Sequence, residues 1–373
     1  MLTNDKDMVY LLRDVISYLE SVAPPSYQES YDNAQLLVGN PEDEITGILC
    51  TLDVTEEVVA EAVDRGCNLI VAHHPIIFKG LKSLTGKNYV ERTVIKAIRA
   101  EVAIYAIHTN LDHVIHGVNA KIAEKIGLKN LQILSPKKDV LTKLVTFVPQ
   151  SDTEKILNSL FEAGAGIIGD YKNCSFRVAG RGTFLPMENA NPAVGEVGKL
   201  EEELENRIEV MFPTHLQKKI VTALKQSHPY EEVAYYLHQI ANENQEVGAG
   251  MVGELEVEME EKDFFVYLKQ QMNLQVVKHT HFLDKPIKKV ALCGGAGIFL
   301  LGNAKRAGAD VFITSDVKYH EFFDADKHLI LADIGHYESE FFTKELLKNI
   351  LSQKFSNIAL YLSNVVTNPI SYL

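Results

Sequence analysis

The sequence predicts an α/β fold, with one discontinuous α/β domain built on a mostly parallel sheet and interrupted by an inserted α+β domain. Three observations predict it. Strand-like and helix-like segments alternate through the first third of the chain, and the same alternation resumes in the last third. The middle instead carries two similar strand-then-helix passes separated by a polar loop. We place the flanking domain at residues 1–137 and 246–373, and the insert at 138–245.

Residues 47–53 (GILCTLD) are short and apolar, as a buried strand is. Thr55 then offers a helix N-cap. Glu56 and Glu57 suit the first turn, and Val58, Val59, Ala62 and Val63 make one apolar face. Gly66 ends that helix. CNLIVA (67–72) is the next strand, VERTVIKAIRA (90–100) the next helix and VAIYAI (102–107) the third strand. This β-α-β-α-β order implies parallel strands with right-handed crossovers. In the last third KVALC (289–293), DVFIT (310–314), HLILA (328–332) and NIALYLS (357–363) read as strands. A helix runs from the GGAG turn (294–297) to about Ala307, and one long helix covers 337–350. The sheet of the first third is expected to resume here.

In the middle, KLVTFVP is followed by DTEKILNSLFEAG, and RIEVMFP by HLQKKIVTALKQS. Each strand closes on a Phe and a Pro (FVP at 147–149, MFP at 211–213) before a helix begins. This is a duplicated β-α-β unit of the ferredoxin-like sort. Between the passes, MENANPAVGEVGKLEEELEN reads as an exposed loop from its Gly, Pro, Asn and Glu content.

Bulk properties exclude several classes. The chain has 373 residues, 46% hydrophobic and 23% charged, the balance of a globular protein able to bury a sizeable core. A net charge of −13 with no basic stripe argues against a nucleic-acid surface. The four cysteines form no CxxC pair, and Cys50, Cys67 and Cys293 sit in apolar stretches, as small buried thiols of a reducing compartment do. The opening MLTNDKDMVYLL lacks a basic n-region, and no apolar run approaches the roughly 20 residues of a spanning helix. A soluble, cytoplasmic protein without a membrane partner is expected.

Three polar clusters each follow a strand: AHHP (72–75), HTNLD (108–112) and DIGHYESE (333–340). In open α/β sheets ligands bind beyond the carboxyl ends of strands, so these clusters are expected to converge on one rim. Imidazole suits zinc, iron and nickel, and carboxylates suit harder ions such as manganese. Adjacent His73 and His74 diverge just past a strand and are better placed to serve two ions than to chelate one. His336 and Glu340, at i and i+4, share a helix face. With Asp112 they make five candidate ligands, which across two ions leave open positions of the catalytic kind. Each cluster alone has a bland reading; three at strand ends together do not. GGAG lacks the spacing of a phosphate loop and reads as a tight strand-to-helix turn. HPYEE (228–232) reads as a structural corner. His279 and His281 fall in a polar linker with no assigned role, and the remaining histidines read as surface.

With these clusters in place, the chain closely resembles the GTP cyclohydrolase I type 2 homologue family, also called the Nif-three-like family. The resemblance covers nearly the whole chain. It rests on YDNAQLLVG (31–39), AHHPIIFKG (72–80), HTNLDHVIHGVN (108–119), CGGAG (293–297), GADVFITSDVKYHE (308–321) and DIGHYESE (333–340). Gln35 departs from the pattern, which expects glycine there. The resemblance implies a dimetal centre of two divalent ions per chain on His73, His74, Asp112, His336 and Glu340, with Glu340 bridging. It implies that His108 is a site residue but not a ligand. It also implies a homohexameric ring with inward-facing sites, and that the insert resembles the PII-like or CutA-like domains of longer members, which trimerise.

The function read from this is a metal-dependent hydrolase acting on a small phosphorylated or nucleotide-like metabolite. Two ions roughly 3.5–4 Å apart would activate water and clamp developing charge. His108, an imidazole, is the candidate catalytic proton shuttle. Lys79, just past the His-His-Pro segment, would bind a substrate phosphate or carboxylate. The alternative is a non-enzymatic, metal-loaded assembly or regulatory protein that senses a small molecule or partner through its insert. Among Zn, Fe, Mn and Ni the sequence does not choose.

Overall fold

A computed structural model describes residues 9–373. The opening stretch read above for a leader therefore lies, up to Met8, outside the described residues. The chain divides into two compact units, one made of the residues up to Pro136 together with Gln245–Leu373, the other of Lys137–Asn244.

In the first unit the strands before the division are β1 (Leu36–Val38), β2 (Ile48–Thr51), β3 (Leu69–Ala72), β4 (Ala103–Ala106) and β5 (Lys129–Pro136). The second unit holds β6 (Leu141–Pro149), β7 (Phe176–Phe184), β8 (Glu201–Pro213) and β9 (Tyr235–Ile240). The first unit then continues with β10 (Gly248–Met259), β11 (Lys278–His279), β12 (Ile287–Leu292), β13 (Val311–Thr314), β14 (Ile330–Asp333) and β15 (Leu360–Leu362).

The flanking strands form two sheets, not one. The first has the order β1-β4-β3-β2-β15, with every pair parallel except β1–β4. The second has the order β11-β14-β13-β12-β10-β5, in which only β12–β13 and β13–β14 are parallel. The expectation that one sheet resumes after the insert is thus corrected: only β15 returns to the first sheet. β12, β13 and β14 lie instead in the sheet of β10 (GAGMVGELEVEM), which pairs with β12. Gly250 (φ +65°) allows β10 to pass where a Cβ would sit 2.7 Å from Leu300.

Local chemistry explains the helices that carry the sheets. The Thr55 hydroxyl accepts from Val58 N at the start of Glu56–Asp64, and Asn88 Oδ1 accepts from Glu91 N at the start of Tyr89–Arg99. Val58, Val59, Ala62, Val94 and Ala97 from these helices bury against Leu49, Ile70 and Ile104. A separate core gathers Phe312, Leu331, Ala291, Leu300 and Leu301 on the second sheet. Cys50, Cys67 and Cys293 are buried and unbridged. No helix among the described residues is long and apolar enough to cross a membrane.

The second unit runs β-α-β-β-α-β, with the sheet order β7-β8-β6-β9, all pairs antiparallel. Helices Thr153–Glu162 and Gln217–Ser227 bury Ile156, Leu160, Ile220 and Leu224 against Leu144, Ile208, Val210 and Phe212. Pro149 and Pro213 both close a central strand and are each followed by a short 3-10 turn, so the duplicated signal marks equivalent corners. The polar stretch between the passes is partly strand: residues 201–206 belong to β8 and pair with β7. Its acidic residues face basic ones, as in the Arg181–Glu202 ion pair, which composition alone does not reveal. His228 is indeed a corner: Nε2 donates to Phe147 O (3.0 Å) and Nδ1 accepts from Tyr230 N (3.1 Å).

Candidate metal centre

The carboxyl ends of both sheets of the first unit supply the site. His73 and His74 follow β3, where His73 N and His74 N still donate to Thr51 O and Leu52 O. Asp112 ends the helical turn Thr109–Asp112 that follows β4. His336 and Glu340 open and close a five-residue helix after β14. The long helix expected over 337–350 is two pieces, His336–Glu340 and Thr343–Ser352. The break lets the first turn aim its ligands inward while Leu347, Ile350 and Leu351 of the second piece bury elsewhere.

These side chains, with His108, converge in three overlapping groups able to hold a metal ion: His74, His336 and Glu340; His73, Asp112 and Glu340; and His73, His74 and His108. Glu340 belongs to the first two, and His108 enters the third alone. Its Oε2 lies 2.9 Å from His74 Nε2 and 3.1 Å from His336 Nε2. Its Oε1 lies 3.9 Å from His73 Nε2, which is 3.6 Å from Asp112 Oδ1. The two oxygens of one carboxylate thus face different pairs of ligand atoms.

Each imidazole is held from behind through Nδ1. His73 Nδ1 donates to Ile107 O (3.0 Å), His74 Nδ1 to Asp53 Oδ1 (2.7 Å) and His336 Nδ1 to Asp316 Oδ2 (2.7 Å). Carbonyl and carboxylate oxygens only accept, so in the neutral rings Nε2 carries the lone pair that a metal needs. Asp53 and Asp316 were not singled out from the sequence. Their signal was slight, one acid at the end of each strand run (GILCTLD and VFITSD).

A metal fits these residues. His73 Nε2, His74 Nε2, Asp112 Oδ1 and Glu340 Oε2 are all buried and lack a hydrogen bond that satisfies them. Four orphaned polar atoms at one spot are costly unless an ion completes them. The electrostatics agree. Burial pushes the Asp112 carboxyl up, and the nearby Glu340 charge pushes it further. Burial also opposes the charge of Glu340, but the His336, His73 and His74 imidazoles outweigh it and hold that carboxyl well below its usual range. Burial works against the His74 imidazolium too. The hydrogen bond to Asp53 and the adjacent Glu340 charge nonetheless raise it to about 10, and Glu340 with Asp316 raises His336 to about 9 against its own burial. A carboxylate-rich pocket is calling for positive charge.

Gly295 of the GGAG turn explains its residue type. Its φ is +62°, and a Cβ there would sit 2.5 Å from Glu340 Oε1. Gly295 N also donates to Ser339 Oγ, and Gly294 N to Asn119 Oδ1, tying the turn to two ligand-bearing segments.

His108 stands beside the group, its ring 5.2 Å from that of His73 and 5.3 Å from that of His74. Its Nδ1 donates to Asp32 Oδ1 (2.8 Å), and Asp32 also accepts from Thr109 N and Oγ1. Burial would raise the Asp32 carboxyl, but these partners hold it at about 2. The site opens on a cavity of about 1420 Å³ whose wall includes Lys79, Phe78, Tyr89, Tyr31 and Tyr337. Lys79 is exposed on that wall and belongs to none of the three ligand groups. His113, read as surface, is buried: Nδ1 donates to Tyr27 O (2.9 Å), and Nε2 is 3.3 Å from Glu29. Sequence reading missed it because the turn after β4 folds inward. His279, assigned no role, packs with Phe265 and Phe282 in a three-ring cluster. Gln35 needs no glycine, since its φ is not positive.

A family model described as Duf34/NIF3 (NGG1p interacting factor 3) matches residues 10–369. The chain belongs to this family. Its relatives include a Bacillus subtilis (strain 168) protein, 36% identical over 97% of this chain and 98% of that one. Another, from Staphylococcus aureus (strain MSSA476), is 37% identical over 97% and 100%. Both are named GTP cyclohydrolase 1 type 2 homolog. Among solved structures, a Bacillus cereus protein related to NIF3 superposes with a TM-score of 0.86 at 35% identity, over 98% of this chain and all of that one. A Staphylococcus aureus protein gives 0.79 at 34%, over 98% and 99%.

Proposed function

We propose that the chain holds two divalent metal ions and is a metal-dependent hydrolase of a small phosphorylated or nucleotide-like metabolite. The observation that carries the reading is Glu340, whose two oxygens face different ligand pairs. On this reading His73 and Asp112 hold one ion, His74 and His336 the other, and Glu340 bridges. Two ions so placed would supply Lewis acidity toward a substrate oxygen and neutralise negative charge that develops there.

The remaining steps belong to the chain's own residues. Asp32 orients His108 through Nδ1, which leaves the other ring nitrogen to take or give a proton at the cavity floor. Lys79 on the wall would pair with a phosphate or carboxylate. The aromatic side chains around it suit a planar ring, and the cavity exceeds the roughly 300–1,000 Å³ of common small-molecule sites. The relatives' name, which refers to a GTP cyclohydrolase, accords with a nucleotide-like substrate; the reading rests on the geometry.

The alternative is a non-enzymatic, metal-loaded assembly, with the insert as a PII-like sensor and trimer-forming unit of a homohexamer. In its favour, β7 and the adjoining loop expose Phe176, Val178, Leu185, Met187 and Leu200. A hydrolase screen on metal-reconstituted protein beside Asp112→Ala separates the two. Activity that vanishes in the variant supports the enzyme. Inactivity in both, with a small molecule bound to residues 138–245, supports the assembly. Light scattering across a concentration series tests the hexamer, and a stable monomer or dimer contradicts it.

A further inference from the structure

The segment that follows β15 reaches the rim of the metal cavity. It is anchored first on the first sheet and its helices. Ser363 N donates to Cys50 O, Ser363 Oγ donates to Glu61 Oε2 (2.6 Å), and Asn364 N donates to Glu61 Oε1 (3.0 Å). Lys344 Nζ donates to Ser363 O from the other side (3.0 Å). Past these anchors Thr367, Asn368, Pro369 and Ile370 form part of the cavity wall.

Two contacts there reach the metal group from behind. Thr367 Oγ1 donates to Asp53 Oδ2 at 2.5 Å, while Asp53 Oδ1 accepts from His74 Nδ1 at 2.7 Å. With both oxygens engaged, the Asp53 carboxylate cannot turn without breaking a hydrogen bond, so the His74 ring plane is fixed. Asn368 Nδ2 donates to Glu338 Oε1 (3.0 Å), on the short helix that carries His336 and Glu340. One segment therefore ties a ligand of the first sheet to the ligand helix of the second. The other group is held differently. His73 donates to Ile107 O, and Asp112 O accepts from Asn119 Nδ2, with no contribution from this segment to either hydrogen bond.

We propose that Thr367, through Asp53 and His74, is a positioning residue for the His74–His336–Glu340 ion alone, so that segment 363–370 sets the affinity of one ion of the pair, while Asn368 steadies the helix that carries His336 and the shared Glu340. The proposal rests on the two-ion reading above. Losing a group directly behind a metal ligand costs about 10–100-fold in affinity. Thr367 acts one step further back, through Asp53, so its loss belongs near the tenfold end.

The test is Co²⁺ titration of metal-free protein, followed by d–d absorption, in two backgrounds. Asp112→Ala keeps the His74–His336–Glu340 group, and His336→Ala keeps the His73–Asp112–Glu340 group. Thr367→Val, which removes the hydroxyl but keeps the shape, is expected to weaken Co²⁺ about tenfold in the first background and leave the second unchanged. Thr367→Ser is expected to restore it. Asn368→Ala should weaken the first background as well, and Thr367→Ala carries the test if Thr367→Val does not fold. Equal weakening in both backgrounds by the Thr367 variant, or none in the first, overturns the proposal. Wild-type protein that takes up a single Co²⁺ overturns the two-ion reading and this proposal together. Two Co²⁺ in wild type, with Thr367→Val and Asn368→Ala indifferent, overturns the proposal alone.

Discussion

Replacing Glu340 by glutamine keeps the side chain's shape and removes its charge at the point shared by both ligand groups. Glu340 is 3% exposed, and its oxygens lie 2.9, 3.1 and 3.9 Å from three imidazole nitrogens. An amide presents N–H to one of those pairs, where a lone pair is required. Loss of a group merely supporting a ligand costs about 10–100-fold per ion, or about 1.4 to 2.8 kcal/mol. Losing the ligand itself costs at least that. Because Glu340 is counted in both groups, the constant for filling both positions should fall by at least about 10²–10⁴-fold. His336→Ala and Asp112→Ala, each counted once, should weaken one ion and spare the other. Stepwise calorimetric titration of metal-free protein with Zn²⁺, backed by elemental analysis, reads all three. A Glu340→Gln protein that still binds one ion with wild-type affinity would refute the shared-ligand reasoning.

Three further outcomes follow from the same geometry. In the metal-free protein His74 is raised to about 10 and His336 to about 9, so both are protonated at neutral pH. Zn²⁺ uptake should release protons and tighten as pH rises toward that range. Their charged forms stabilise the metal-free fold fully below the ordinary imidazole value of about 6.5, and that contribution is lost as pH rises through about 9 to 10. Calorimetry in buffers of different ionisation enthalpy measures the release, and none at pH 7 contradicts the protonation states. Gly295→Ala should cost about 1–2 kcal/mol for a left-handed residue with a Cβ, and should also lower metal content by pushing on Glu340. Unchanged metal occupancy in a folded variant would count against that contact. Deleting residues 138–245 should leave a folded, metal-binding protein, because Pro136 and Gly248 are cross-strand partners that a short turn can join. Loss of metal by a deletion that keeps its circular dichroism would argue otherwise.

The sequence disclosed the ligands more readily than the sheets. His73, His74, Asp112, His336 and Glu340 stand in short polar clusters after apolar runs, and their chemistry shows without coordinates. The pairing of strands was less legible. β10 was given no element from the sequence, and nothing local says that β12–β14 share its sheet and not that of β2–β4. Residues 201–206 read as loop because acidic runs favour solvent, yet they pair with β7, whose Arg181 meets Glu202. The residues that hold the ligands from behind were also missed. Asp53, Asp316 and Asp32 are single acids among many, and only a folded chain sets their carboxylates 2.7–2.8 Å from an imidazole nitrogen. His113 was hidden for the converse reason, since a polar residue in a polar segment gives no sign that its turn is buried.

The most direct measurement is anomalous diffraction from crystals of protein loaded with Zn²⁺, collected at the metal edge. The account predicts two peaks on opposite sides of the Glu340 carboxylate, one bounded by His73 and Asp112, the other by His74 and His336. One peak, or two that do not share Glu340, would contradict it.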